Sequence, residues 1–195
     1  MFKNIGIVLK KSLSSNESSV VSGLLSVLLK NTKTIYSTDQ IDFEGVDIVD
    51  IEKFNQSVDL IVVFGGDGTL LGAGRKFIEN ETPILGINMG AVGFLTDVNI
   101  ENFESVINDV FKGNYILEDR SLVEAQFSDQ EVFGLNEVLI HSGSYAQLMR
   151  YRLLIDGKTV YEQRSDGLIV ATPTGSTAYA SVSYTHLRAH ETSID

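Results

Sequence analysis

The chain has 195 residues, of which 43% are apolar and 21% charged, a composition typical of one or two globular domains and not of a disordered chain. Its net charge of −11 is shared by both halves, which excludes a basic face for a nucleic-acid backbone or an anionic membrane. The absence of cysteine excludes disulfides, thiolate metal sites and cysteine nucleophiles. The first apolar run is too short for a signal peptide and no run reaches transmembrane length, so we expect a soluble, cytoplasmic protein.

The first half of the sequence alternates strand patterns with helix patterns. Ile5 to Leu9 is predicted as a buried strand, and one apolar stripe after Asn16 predicts a helix. The acidic stretch 39–59, with seven carboxylates and one lysine, is interpreted as a solvated loop and helix face. The β-branched run from Val58 to Phe64 predicts a central strand that is covered on both faces.

The same alternation continues to about residue 118. A helix is expected from about Leu70 to Ile78, and a strand from Pro83 to Ile87. Asn99 is a candidate N-cap for a helix that carries Phe103 to Phe111. Strands that alternate with helices predict an α/β domain with a parallel sheet over residues 1–118.

Only strand patterns follow from about residue 115, so we expect a β-rich second domain over residues 119–180. Met149 to Ile155 alternates in polarity, and Asp156-Gly157 after it is a strong hairpin signal. Leu168 to Ala171 is predicted as a further strand.

A glycine loop, Gly65-Gly66-Asp67-Gly68-Thr69, follows the predicted central strand at once. Open α/β sheets bind ligands at this end of a strand, and glycine amides beside a helix N-terminus suit phosphate oxygens. The loop lacks both the lysine of a P-loop and the GxGxxG pattern of a dinucleotide fingerprint. Because Asp67 would repel a phosphate, it could accept a proton from a substrate hydroxyl or coordinate Mg²⁺. A tight turn with an incidental aspartate is the alternative.

Three further segments combine glycine, hydroxyl or amide groups. The glycine cluster at 86–93 could form the opposite wall of one nucleotide cleft, or be an ordinary loop. Asn136-Glu137, inside an apolar stretch, suits the two hydroxyls of a ribose, or is a half-exposed strand position. Arg164 to Gly167 and Thr172 to Tyr179 flank a strand. The hydroxyls and amides of the second of these suit a pyrophosphate, or form a turn before a capped helix. His141 is expected to be structural or exposed.

In order and spacing, these motifs resemble the NAD kinase family over essentially residues 1–180. The GGDGT element is shared with diacylglycerol and sphingoid lipid kinases, and a close variant occurs in phosphofructokinases. Its combination with Asn136-Glu137 and with Thr174 to Tyr179 is more specific to NAD kinases. The resemblance implies an α/β domain like those of NAD kinase and phosphofructokinase, followed by a β-rich, sandwich-like domain. It also implies a homo-oligomer for the complete protein.

The resemblance further implies phosphoryl transfer from ATP, with Mg²⁺ or another divalent cation, to the 2′-hydroxyl of the adenosine ribose of NAD, which gives NADP. Asp67 would be the general base. The donor phosphates would lie in a phosphate loop of Gly65, Gly66, Gly68 and Thr69, without a fixed metal site in the protein. NAD would contact Asp67, Gly68, Phe94, Asn136, Glu137, Gln147, Arg164, Asp166, Thr174, Gly175, Ser176, Thr177, Ala178 and Tyr179.

After Ala180 the sequence departs from the family's pattern, and residues 181–195 show no recognisable motif. We therefore expect a truncated or chimeric end and an incomplete β-domain, with exposed strand edges and reduced stability. Two other functions stay open at this point. One is a lipid or sphingoid kinase that uses the same glycine loop, and the other is a fragment that binds NAD without turnover.

Overall fold

The structure, a computed structural model, describes residues 2–90, 93–96, 98–143 and 148–182. The chain divides into two units, Met1–Glu118 and Asp119–Asp195. Of the predicted features, Gln147 and residues 183–195 of the tail lie outside the described residues.

The first unit is an α/β domain with a six-stranded parallel sheet, as the sequence predicts. The strand order is β3-β2-β1-β4-β5-β6, so the direction of chain progression reverses between β1 and β4. Open sheets bind ligands outside the carboxyl ends of the two strands at such a reversal. The elements are β1 (Asn4–Leu9), α1 (Ser15–Asn31), β2 (Thr34–Ser37), β3 (Val46–Ile48), α2 (Ile51–Ser57), β4 (Leu60–Gly65), α3 (Asp67–Lys76), β5 (Ile84–Asn88), β6 (Val98–Asn99), a 3₁₀ turn (Ile100–Asn102) and α4 (Phe103–Phe111).

The central strand β4 is covered on both faces, because all six of its residues are buried. Leu60, Val62 and Phe64 join a core cluster with residues of α1 and α4. Ile61 and Val63 join a second cluster with residues of α2 and α3. The sheet is therefore the middle of three layers, and its strand ends are the places where polar groups can converge.

Short elements account for most differences from the sequence-based expectations. The stretch 39–59 is not only loop and helix, since it also contains the strand β3. Three residues with one acidic side chain between two apolar ones are too few for a reliable alternation signal. The helix α1 begins earlier than the apolar stripe suggests, because Ser14 caps it and forms a capping box with Glu17.

Glu17 gives the first unit a measurable acid dependence. Its carboxylate accepts hydrogen bonds from the Lys10 ammonium and from the Ser14 amide and hydroxyl, which lower its pKa to about 2. Because this pKa is lowered, the ionised carboxylate stabilises the fold fully above its ordinary pKa of 4.5. That contribution is lost as the pH falls from about 4.5 to about 2. NMR titration of Glu17 should report this value. The unfolding midpoints of the parent and Glu17→Gln should converge across the same window, and a constant difference down to pH 2 would disagree.

Gly6 in β1 allows a ring to pack on the sheet. A Cβ at this position would lie 2.2 Å from Cζ of Phe54 and 2.9 Å from Cγ1 of Val58. We expect Gly6→Ala to destabilise the first unit by about 1–3 kcal/mol, since both neighbours are buried in a close-packed layer. Urea unfolding followed by helical circular dichroism measures this effect. Gly23→Ala, at an exposed site in α1 with open space, should instead stabilise the unit by up to about 1 kcal/mol. Equal effects of both variants would contradict the packing argument.

The second unit is β-rich, and its described strands pair two by two. The elements are β7 (Val123–Phe127), β8 (Gln130–Gly134), β9 (Glu137–His141), β10 (Met149–Ile155), β11 (Lys158–Ser165), β12 (Gly167–Ala171), a 3₁₀ turn (Thr174–Thr177) and α5 (Tyr179–Val182). β7 pairs with β8, β9 with β12 and β10 with β11, all antiparallel. The hairpin predicted at Asp156-Gly157 is confirmed, and both residues have the positive φ that such a turn requires. In the part of the chain that the structure describes, no helix is long and apolar enough to cross a membrane.

Candidate active site

A cavity of about 960 Å³ lies at the carboxyl ends of β1, β2 and β4 in the first unit. Gly66, Gly68 and Thr69 of the predicted phosphate loop line it, together with Lys10 and Lys11 after β1. This position is the strand reversal at which ligands bind in open sheets. The remaining wall includes the segment 39–43 after β2 and residues 72, 73 and 76 of α3.

The cavity wall offers groups that suit an anion. α3 begins at Asp67 with Gly66 as its N-cap, and glycine has no side chain to bond the first amides of the helix. Those amides and the positive end of the helix dipole favour a phosphate group. Lys10 pairs with Glu17 and Lys76 pairs with Asp39 at 2.8 Å, and Asp39 and Asp42 themselves line the cavity, so part of its positive charge is already offset.

Gly65 is placed differently from the rest of the predicted phosphate loop. It is the last residue of β4 and is buried, and the cavity wall does not include it. A Cβ there would lie 2.3 Å from Oγ1 of Thr69. The structure thus gives Gly65 a packing role, in which the absent side chain lets α3 begin close to the strand.

The carboxylate of Asp67 accepts four hydrogen bonds from the segment after β5. Oδ2 accepts one from the amide of Phe94 at 2.8 Å. Oδ1 accepts bonds from the amide of Leu95 at 3.0 Å and from the amide and hydroxyl of Thr96, both at 3.2 Å. Hydrogen bonds of Asp67 therefore connect the start of α3 with residues 94–96, directly after the second glycine cluster.

These bonds also set the protonation of Asp67. Partial burial acts to raise its pKa, but the hydrogen bonds from Phe94, Leu95 and Thr96 together outweigh burial, and the pKa lies below the ordinary value. Asp67 is consequently ionised throughout the neutral range. An ionised carboxylate can orient a hydroxyl group by accepting its hydrogen bond.

The second glycine cluster does not form the opposite wall of the cavity described above, because none of its described residues lines that cavity. Gly93, the last residue of the cluster, and the following residues 94–96 instead lie against Asp67, while positions 91 and 92 lie outside the described residues. Phe94 leaves 75% of its surface exposed, although its amide is held by Asp67. The ring is therefore available to a ligand on a backbone that is fixed.

In the second unit, Asn136 and Glu137 lie where β9 begins, beside the turn that follows β12. Oδ1 of Asn136 and Oε2 of Glu137 are buried and have no hydrogen-bond partner among the described residues. Buried polar atoms are normally paired, and an unpaired one costs free energy. Asn136 and Glu137, neighbours in sequence, each leave one buried oxygen without a hydrogen-bond donor among the described residues.

Thr172, which is 6% exposed, organises this site. Its amide donates to the carbonyl of Asn136 at 2.8 Å, and its hydroxyl oxygen lies 2.6 Å from the carbonyl of Leu135. The same oxygen accepts a bond from the amide of Gly175 at 3.1 Å. Sequence reasoning placed Thr172 only within a hydroxyl-rich run, and the run contains no local signal that singles it out.

Gly175 brings the turn of residues 174–177 against the chain before β9. A Cβ at Gly175 would lie 1.9 Å from the carbonyl oxygen of Asn136 and 2.8 Å from its Cα. Only glycine allows this approach of two backbones. The predicted residues from Thr174 to Tyr179 are thus brought beside Asn136, and the ring of Tyr179 is exposed there.

Arg164 and Asp166 lie at the other end of the β9–β12 ladder. Ala171 pairs with Glu137, and Gly167 pairs with His141, four residue steps away. Four steps along a strand amount to about 14 Å. Asp166 and Asn136 can therefore contact the same ligand only if that ligand is extended.

Metal-binding side chains do not cluster in the part of the chain that the structure describes, where no group of three or more His, Cys, Asp or Glu is placed to hold an ion.

Comparison with known proteins finds matches to family models in both units. The family model of the ATP-NAD kinase N-terminal domain matches residues 7–115, and that of the ATP-NAD kinase C-terminal domain matches residues 135–183. A curated NAD kinase of Chromohalobacter salexigens is 47% identical over 133 residues, which cover 66% of this chain and 45% of the relative. One of Pseudomonas aeruginosa is 37% identical over 191 residues, which cover 92% of this chain and 63% of the relative. The chain thus spans about half to three fifths of the length of these relatives.

Two solved structures share the fold. Yeast NADH kinase complexed with NADH superposes with a TM-score of 0.77 at 22% identity, over 91% of this chain and 60% of that one. An NAD kinase from Archaeoglobus fulgidus in complex with ATP superposes with a TM-score of 0.68 at 30% identity, over 91% of this chain and 64% of that one. Because the N-terminal family model alone matches more than half of the residues, this chain belongs to the ATP-NAD kinase family.

Proposed function

We propose that the protein transfers the γ-phosphoryl group of ATP to the 2′-hydroxyl of the adenosine ribose of NAD, forming NADP. The names of the curated relatives support this reaction, as does the ATP in the Archaeoglobus fulgidus structure. Each unit of this chain offers groups that suit one of the two substrates.

The first unit offers a donor site. Its cavity has a volume that suits a nucleotide, and Gly66, Gly68 and Thr69 line it beside the uncapped start of α3. Lys11 adds positive charge for the triphosphate, whereas Lys10 is paired with Glu17. In the proposed function Mg²⁺ is bound through the ATP phosphates, as is common for this ion.

The second unit offers an acceptor site, and its two unpaired oxygens are the observation that carries the proposal. A ribose has two hydroxyl donors, and Asn136 and Glu137, which are neighbours in sequence, each present one buried acceptor oxygen. Pairing them with a ribose would remove the cost of leaving them unpaired. A lipid kinase that uses the same glycine loop has no evident need of this pair, nor of the turn from Thr174 to Tyr179.

Asp67 is the residue that we propose to act on the reacting hydroxyl. As the new P–O bond forms and the bond from the γ-phosphorus to the leaving ADP oxygen breaks, the hydroxyl proton passes to the carboxylate. The transition state of phosphoryl transfer is loose, so orienting the hydroxyl is a larger part of this role than early proton removal. A carboxylate that stays ionised at neutral pH suits it.

The remaining predicted contacts are part of the same proposal. Phe94 and Tyr179 present exposed rings for a base or ribose, and the turn of residues 174–178 presents hydroxyls and amides to the dinucleotide. Arg164 and Asp166 would meet the more distant end of the dinucleotide, and Gln147 remains a contact that only the resemblance to the family suggests. We further propose a cytoplasmic location, and a homo-oligomer for the complete protein, from the resemblance to the family.

Glu137→Gln tests the acceptor site. The substitution keeps the size of the side chain and removes a charged acceptor, so NAD affinity should fall about tenfold or more. ATP affinity should stay unchanged, and the free chain should gain about 1 kcal/mol of stability, because a neutral amide costs less to bury without a partner than a carboxylate does. Isothermal titration calorimetry with each nucleotide and urea unfolding measure these three quantities.

Glu131→Gln is the matched control, since Glu131 is exposed on β8 and bonds to Gln126 on the neighbouring strand. It should leave NAD affinity and stability nearly unchanged. Parent-like NAD affinity in Glu137→Gln would remove the assignment of this pair to the ribose, and weak binding of both nucleotides would point to a general loss of structure.

A further inference from the structure

The two carboxylate oxygens of Asp67 accept different numbers of hydrogen bonds. Oδ1 accepts three hydrogen bonds, from the amide of Leu95 and from the amide and hydroxyl of Thr96. Oδ2 accepts one, from the amide of Phe94. A carboxylate oxygen has about two lone-pair directions, so Oδ1 has no capacity left and Oδ2 has room for one further donor.

The backbone of Gly93 lies beside Oδ1 of Asp67 and blocks the approach of a ligand to this oxygen. A Cβ on Gly93 would lie 2.2 Å from Oδ1 of Asp67 and 2.9 Å from Oγ1 of Thr96. The backbone therefore passes directly beside this oxygen and leaves no space for a substrate atom. Both the hydrogen bonds and the packing make Oδ2 the oxygen that a substrate hydroxyl can reach.

Thr96 supplies two of the three bonds on Oδ1, and its own position is fixed. It is 1% exposed, and its Cγ2 would lie 2.8 Å from a Cβ added to Gly86 in β5. A β-branched side chain has few χ1 rotamers, and this one is packed against the strand backbone. The hydroxyl of Thr96 is consequently aimed at Oδ1 by the sheet itself.

We propose that Thr96 is the positioning residue of Asp67, which holds Oδ1 so that Oδ2 alone meets the acceptor hydroxyl. This inference rests on the proposed function for its consequence in catalysis, whereas the orientation of Asp67 can be observed without it. In the reaction, the hydroxyl donates to Oδ2, and the proton passes to that oxygen as the P–O bond forms and ADP leaves. Thr96 touches no substrate and acts only through the carboxylate.

The experiment compares Thr96→Val, which keeps the shape and loses the hydroxyl, with Thr96→Ser, which keeps the hydroxyl. For the full chain, kcat for NADP formation should fall about tenfold or more in Thr96→Val, while KM for NAD and for ATP stays within about threefold. Thr96→Ser should retain most of the turnover. If Thr96 served only folding, both variants would yield less active protein, and kcat would not depend on whether the variant keeps the hydroxyl.

A spectroscopic readout keeps the inference independent of activity. Three-bond NMR couplings should show one χ1 rotamer of Asp67 in the parent and in Thr96→Ser, and rotamer averaging in Thr96→Val. If the parent forms no NADP, the proposed function fails while this comparison still decides the positioning role. If Thr96→Val does not fold, Thr96→Ala against Thr96→Ser gives the same contrast, because these two differ only in the hydroxyl. An unchanged Asp67 rotamer without the hydroxyl, or parent-like kcat, would overturn the proposal.

Discussion

Asp67→Asn is expected to lower the turnover of NAD by about 100-fold or more, with little change in KM for ATP. A positioned general base contributes about 10²- to 10⁴-fold, and the amide that replaces it is neither charged nor basic. The amide nitrogen cannot accept the bonds that the carboxylate takes from Phe94, Leu95 and Thr96, so one end of the new side chain opposes an N–H donor. Steady-state kinetics with both substrates measure the change.

Asp47→Asn is the matched control for this variant. Asp47 is exposed on the edge strand β3, so the same chemical change is made away from the glycine loop. Its turnover should equal that of the parent. Circular dichroism of both variants establishes that the sheet is intact, and a folded Asp67→Asn protein with more than about a tenth of the parent kcat would exclude Asp67 as the base.

Gly175→Ala is expected to abolish NAD binding and to destabilise the second unit by about 3 kcal/mol or more, at the upper end of overpacking effects. The added methyl group would meet three backbone atoms of Asn136 at 1.9 to 2.8 Å, and backbone cannot move aside as a flexible side chain can. The turn must therefore move away, which breaks the bonds of Thr172 to Asn136 and Gly175. Calorimetric titration with NAD and thermal unfolding of the β-rich unit report both effects.

Ser181→Ala, in the helix α5 that follows the same turn, separates this packing effect from general sensitivity of the segment. Ser181 is exposed and is not among the proposed NAD contacts, and its hydroxyl donates to the carbonyl of Ala178 at 2.7 Å. Losing that bond should cost about 1 kcal/mol without moving the backbone. ATP affinity should stay at the parent level in both variants. A Gly175→Ala protein that binds NAD like the parent would show that the close approach to Asn136 is not required.

Much of the fold could be predicted because its signals are local. The unbroken apolar run of β4 reports burial on both faces, and the positive-φ pair Asp156-Gly157 follows from turn chemistry. The short strands β3 and β6 could not be predicted, since two or three residues contain too little alternation to be recognised.

Some residues of the candidate site could likewise be predicted from local sequence patterns, and others could not. The glycine loop and Asn136-Glu137 have a recognisable local pattern, whereas the roles of Thr96 and Thr172 come from contacts across the chain. Thr96 meets Asp67 from 29 positions away, and Thr172 meets Asn136 from 36 positions away. Neither threonine differs in its sequence neighbourhood from a threonine in an ordinary loop. Only the folded chain distinguishes a side chain that positions a carboxylate from one that faces solvent.

Transfer of labelled phosphate from [γ-³²P]ATP decides whether NAD is the phosphoryl acceptor of this protein. The purified chain is incubated with Mg²⁺ and with NAD or a diacylglycerol or sphingoid acceptor, and the products are separated and identified. The predicted result is labelled NADP from the parent, at least about 100-fold less from Asp67→Asn, and no labelled lipid. A folded chain that binds both NAD and ATP yet forms no NADP, or that labels the lipid instead, would contradict the proposed function.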